Sequence, residues 1–189
     1  VFYQYYKTMF SLYYARFIKL VLKWLGLYSP KEIEIMEYIP LPPIKMETNT
    51  EKIIRIAEKY IGKDVSEEIL GKDSVSDSVG CVETITLLLR EVLLDFPVLT
   101  YTPTLVSQLK KDSRFAGTLE LNVGNIIVNA TGTGNGTLKG HAGLIWKDGK
   151  IISNNSFTGK LEINYTLESW KQRFRIRGGM PTQVYKFIN

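Results

Sequence analysis

A chain of 189 residues, 44% hydrophobic and 23% charged, is long enough for one globular domain with an appendage and too short for two full domains. A single cysteine excludes an internal disulfide, and one cysteine with one histidine excludes a structural zinc site built on four Cys and His ligands. The formal net charge of +5 suits anionic surroundings such as lipid head groups, wall polymers or nucleic acid, yet no nucleic-acid-binding motif accompanies it.

Residues 1–28 are aromatic and aliphatic almost throughout, from Phe2 and Tyr3 to Trp24 and Leu27, with no Gly or Pro before Gly26. At 100° per residue Arg16, Lys19 and Lys23 gather on one side, so the segment reads as a basic amphipathic helix suited to a membrane interface or a partner protein. The three charges interrupt the apolar run and argue against a simple spanning helix, and no small-residue cleavage site follows an apolar core. The bland alternative is a helix packed on the domain itself. The sequence starts on Val1 and not Met, which leaves room for a natural N-terminus upstream. Ser29-Pro30 and Ile39-Pro40-Leu41-Pro42-Pro43 then make residues 29–49 a proline-rich linker.

The remaining 50–189 read as one domain. Thr50 is the expected N-cap of a helix over Glu51 to Tyr60, closed by Gly62, and residues 63–80 read as a polar, turn-rich connection. With Ser78 as N-cap, Cys81 takes the third position of an apolar helix whose buried face carries Val82, Ile85, Leu88, Leu89 and Val92. In that first turn, free backbone N–H groups and the positive end of the helix dipole lower a thiol pKa and can hold an oxyanion. The alternative is a cysteine that is simply a small buried hydrophobe.

A short helix capped by Thr104 is expected over Leu105 to Lys111, and strands over Thr118 to Leu121 and Asn125 to Asn129. The glycine-rich loop Thr131 to Gly136 lacks the P-loop lysine pattern and precedes a strand, so it reads as a loop beside a site or a long hairpin. His141 to Trp146 and Lys150 to Asn154 form a hairpin around Lys147-Asp148-Gly149. A three-residue loop puts Asn155 opposite His141, the only histidine; a two-residue turn puts Asn154 and Ser156 on that face instead. In either register an asparagine carboxamide is placed to orient the imidazole, unless it merely caps its own turn. Thr166 caps a helix over Leu167 to Phe174, Gly178-Gly179 turn the chain, and Thr182 to Ile188 alternates as a last strand closing the sheet.

Cys81 opening a helix, a Gly-Asp-like segment Val123-Gly124-Asn125-Ile126-Ile127 with Asn125 in place of the acid, Gly140-His141-Ala142-Gly143-Leu144-Ile145, and a hairpin into Ser153-Asn154-Asn155-Ser156 together resemble the papain-like cysteine peptidases of the CHAP and NlpC type. Gly80 and Val82 depart from that pattern, which often has an Asp or Ser beside the cysteine. The resemblance spans roughly residues 50–189 and implies an α+β fold, with helices packed on an antiparallel sheet, the catalytic Cys at a helix N-terminus and the catalytic His on a strand. It implies a cofactor-independent, metal-free cysteine hydrolase, an endopeptidase or amidase of bacterial peptidoglycan, associated with a virion or the cell envelope. Cys81 resembles the nucleophile and His141 the base; Asn155 is the expected third residue, with Asn154 as the alternative and Ser153 at the corresponding position of an ungapped hairpin. Two other classes stay open: a thiol acyltransferase at a membrane, and a catalytically silent structural or binding domain of a phage particle or membrane complex.

Overall fold

The computed structural model describes residues 46–71, 80–134 and 138–188, together with 17, 20, 21 and 24–26. The chain divides into two compact units, Val1–Met46 and Glu47–Asn189. In the first, Phe17, Leu20, Val21 and Trp24 are helical and exposed, at the i, i+3, i+4, i+7 spacing of one helix face. Leu25 and Gly26 form a turn, and the other residues of the expected N-terminal helix, with residues 29–45 of the expected linker, lie outside the described residues. No helix among the described residues is long and apolar enough to cross a membrane.

The second unit is α+β. Among the described residues four helices come first: α1 (Asn49–Tyr60), α2 (Val65–Leu70), α3 (Cys81–Val92) and α4 (Thr102–Lys111). Six strands follow, β1 (Phe115–Thr118), β2 (Ile126–Asn129), β3 (His141–Ile145), β4 (Lys150–Asn154), β5 (Leu161–Thr166) and β6 (Thr182–Phe187). Between β5 and β6, α5 (Leu167–Trp170) runs into a π-helical stretch, Lys171–Arg177. All strand pairs are antiparallel, in the order β1-β6-β2-β3-β4-β5.

Several boundaries differ from the sequence expectation for local reasons. Helix α1 starts earlier because Thr48, not Thr50, forms a capping box with Glu51: Thr48 Oγ1 accepts from the Glu51 N–H and Thr48 N–H donates to the Glu51 carboxylate. Helix α2 forms in the stretch expected to be irregular, because the Asp64 side chain accepts from the N–H groups of Ser66 and Glu67. Helix α4 begins at Thr102, with Pro103 in its first turn supplying a preset φ, so Thr104 is internal. Strand β1 covers 115–118 and not 118–121, since Phe115 packs against Phe96 and Phe187. The last strand is not an edge: β6 lies between β1 and β2.

Strand alternation sends side chains to two cores. Ile126, Val128, Ala142, Leu144 and Ile152 face α1, α3 and α4, meeting Ile53, Ile85, Leu88 and Leu105. Ile127, Ile145, Ile151 and Val184 face the other way, onto Trp170, Phe174 and Met180. Each such large side chain contributes about 1.5–3 kcal/mol through removal from water, so both faces of the sheet are held. The β3–β4 hairpin has the three-residue-loop register, Leu144 opposite Ile152 and Ile145 opposite Ile151, with Gly149 at φ 65°.

Candidate active site

Cys81 is the first residue of α3. Gly80 is its N-cap and the first intrahelical bond runs from Thr84 N to Gly80 O, so Cys81 sits two positions nearer the helix end than a Ser78 cap requires; Ser78 itself is outside the described residues. The backbone N–H groups of Ala142, Val82 and Cys81 itself face the sulfur and favour the thiolate, but burial is the stronger influence and pushes the thiol up. The expected lowering of this pKa is therefore corrected: with the residue 6% exposed, the resting group is a thiol. Two residues on, the fully buried Glu83 accepts a hydrogen bond from Ser66 Oγ at 3.0 Å, tying this turn of α3 to α2.

His141 opens β3, between two glycines that have steric reasons to be glycine. A Cβ on Gly140 would meet the Asn129 carbonyl oxygen and the Thr131 nitrogen. A Cβ on Gly143 would lie 2.8 Å from Ile151 Cγ2, 2.9 Å from the Ile152 carbonyl oxygen and 3.3 Å from Ser153 Cβ. The imidazole is packed by three rings: Phe174 stacked at 5.4 Å and 12°, Trp170 at 5.4 Å and Tyr165 edge-on at 5.7 Å. Trp170 is fixed in turn, its Nε1 donating to Asn129 Oδ1 at 2.6 Å while Asn129 Nδ2 donates to the Met180 carbonyl at 2.9 Å. Burial first, and then the nearby Arg173 charge, lower the His141 pKa to about 4, so the ring is neutral at pH 7.

Which nitrogen carries the proton follows from the neighbours. His141 Nε2 lies 3.0 Å from Ser153 Oγ, and Ser153 Oγ donates to Asn164 Oδ1 at 2.8 Å. A hydroxyl has one proton to give, and Ser153 spends it on Asn164, so Nε2 is the protonated nitrogen and donates to Oγ. Nδ1 is left with its lone pair, the form a general base requires.

Asn164 reaches Ser153 because of a bulge. Ile151 pairs with Tyr165 and Ile152 with Ile163, so Asn164 is the extra residue of β5. Its amide brackets the serine, with Nδ2 3.5 Å from the Ser153 carbonyl oxygen.

Asn155 is not the histidine's partner. Strand β4 ends at Asn154, and beyond it Asn155 closes a turn: Nδ2 donates to Glu162 at 2.7 Å and Oδ1 accepts from Phe157 N–H at 3.0 Å. Asn154 alternates to the sheet face opposite Ser153 and pairs with Leu161.

Cys81 and His141 line one cavity of about 540 Å³. Tyr165, Phe174 and Ser156 share it, with Thr102 and Thr131 on another wall and Lys139 and Arg173 also lining it. Thr131 Oγ1 accepts from Thr102 Oγ1 and from the Gly140 N–H, fixing the start of β3 to α4. Sequence reasoning passed over Asn164, Tyr165 and Arg173, although the alternation Leu161, Ile163, Tyr165 is a strand signal. Among the described residues no group of three or more His, Cys, Asp and Glu is arranged to hold a metal ion. Comparison of the chain with protein-family models and with curated proteins finds no match.

Proposed function

We propose that the 47–189 unit is a papain-like cysteine hydrolase that cuts an amide bond of bacterial peptidoglycan. The observation that carries this is the meeting of Cys81, at the first turn of α3, and a correctly tautomeric His141, at the start of β3, in one cavity. His141 Nδ1 takes the thiol proton as Cys81 Sγ attacks the amide carbonyl, since both groups rest neutral. The N–H groups at the start of α3 receive the oxyanion. The imidazolium then protonates the departing amine, leaving an acyl-enzyme, and neutral His141 activates the water that hydrolyses it. Ser153, backed by Asn164, takes the orienting role expected of Asn155. The net charge of +5 and the aromatic, basic residues 1–28 hold the enzyme near an anionic wall or membrane, in a cell envelope or a virion.

Mass spectrometry of peptidoglycan incubated with wild type and Cys81→Ala tests the proposal and names the bond. Wild type releases fragments with a new amine terminus or a freed sugar-linked carboxylate, and Cys81→Ala, still folded, releases none. Equal digestion by both proteins, or by neither, overturns it. A silent binding domain is the reading that burial of the thiol favours; it predicts digestion by neither and retention of both on insoluble wall.

A further inference from the structure

We propose that Arg173 and Lys139 form a carboxylate-binding subsite on the rim of the Cys81–His141 cavity, selecting peptides that present a free carboxylate beside the reacting amide. The selection of a cut bond rests on the hydrolase reading; the binding does not.

Both side chains line the cavity, and among the described residues no Asp or Glu does. Arg173 leaves the π-helical stretch immediately before Phe174, the ring stacked on His141, and its guanidinium carbon lies 5.6 Å from the centre of that ring. Its position beside the reacting groups is fixed by this neighbour, and its charge reaches both His141 and Tyr165. Lys139 stands two residues before His141.

Six other cations of this domain, Arg55, Lys63, Arg114, Lys147, Lys171 and Lys186, each pair with a carboxylate, but none of them lines the cavity. Among the described residues, Arg173 and Lys139 are in no ion pair. A guanidinium is planar and offers a forked pair of N–H donors that matches a carboxylate, while a lysine supplies a mobile second charge. Two uncompensated cations in a concave site also raise the local concentration of anionic substrate.

The probe is a pair of N-acetylated stem tetrapeptides, Ala-γ-Glu-Lys-Ala, with carboxylates either free or all converted to carboxamides. Calorimetric titration into the full-chain Cys81→Ala protein reads binding without turnover. The free-acid peptide is expected to bind about tenfold more tightly than the amidated one, as befits charge-assisted pairing. The difference should fall to within about twofold in Arg173→Gln/Lys139→Gln on the same background, and shrink as salt is added. Equal affinity for the two peptides, no binding of either, or a preference that survives the double substitution overturns the subsite. Turnover by wild type separates the two ideas: equal kcat/KM on both peptides removes the subsite and keeps the hydrolase, whereas selective binding without any cleavage keeps the subsite and removes the hydrolase.

Discussion

Gly143 lies one step beyond the Leu144–Ile152 pair, against Ser153, and its missing side chain is what lets Ser153 reach His141. Gly143→Ala would force β4 outward by several tenths of an ångström. It should cost about 1–3 kcal/mol of stability by overpacking. A misplaced orienting group should also lower kcat at least about tenfold. Denaturant titration and peptidoglycan turnover check both, and an unchanged kcat would show that Ser153 does not orient the ring.

Ser153 and Asn164 can be separated by the tautomer they impose. In Asn164→Ala the serine proton is no longer held by Asn164 and can turn to Nε2, moving the imidazole proton to Nδ1, where it blocks the base. Because His141 is the only histidine, nitrogen-15 NMR of labelled protein reads this directly, without assignment. The wild type should be Nε2-protonated, Asn164→Ala should shift toward the Nδ1–H form, and Asn164→Asp should restore the original. Activity should follow, falling roughly ten- to a hundredfold in Asn164→Ala and in Ser153→Ala, as positioning of a catalytic base requires. Asn155→Ala should leave the tautomer unchanged and keep activity within about twofold, its turn-closing bonds being worth about 1 kcal/mol each.

The folded pKa of His141, about 4, lies below its ordinary 6.5. Between those values the unfolded chain binds a proton the folded chain refuses, so stability is full above pH 6.5 and is lost as pH falls through the window toward 4. The loss is on the order of 3 kcal/mol. Urea unfolding of wild type and His141→Gln at pH 7 and pH 4.5 should show a steeper decline in wild type. The carboxyls of Asp95, Asp112 and Glu162 are held below their usual range by Arg114, Arg114 and Asn155 respectively, so their contributions fall away at lower pH. Activity should share the same acid limb: kcat/KM should rise through about pH 4, where His141 loses its proton.

Asn129 is fully buried and ties Trp170 to Met180. Asn129→Leu leaves the Trp170 indole N–H and the Met180 carbonyl without this partner, at a cost of about 1–3 kcal/mol for each buried group. Loosening Trp170 should also broaden the His141 ring resonances, since the indole forms one wall around it. Unchanged thermal unfolding would show that water replaces the asparagine.

How much of this was legible in the sequence depends on the range of the interaction. The helices with buried stripes, the β3–β4 hairpin and the cap at Thr166 are written in local spacing, and each was readable. Helix α2 was not, because its signal is a single Asp64 cap on a short polar segment with little apolar pattern. The antiparallel α+β architecture was what the resemblance implied, but the central place of β6 depends on which strand edges are free, and no local pattern carries that. Cys81 and His141 could be singled out as unique residues in special turns. The third partner, Ser153, was among the candidates but was set below Asn155, because extrapolating β4 by one residue assumes the strand continues past Asn154, where it turns. The thiol pKa was misjudged for a similar reason: helix-end electrostatics is local, whereas burial in the core between the helices and the sheet is not.

Asn164 pairs in the ladder with no residue of β4, so it meets that strand through its side chain, at Ser153. A substitution there changes the bonds to Ser153, while the ladder on both sides keeps its register. The strength of the histidine's support can therefore be tuned at one codon, independently of the sheet that carries it.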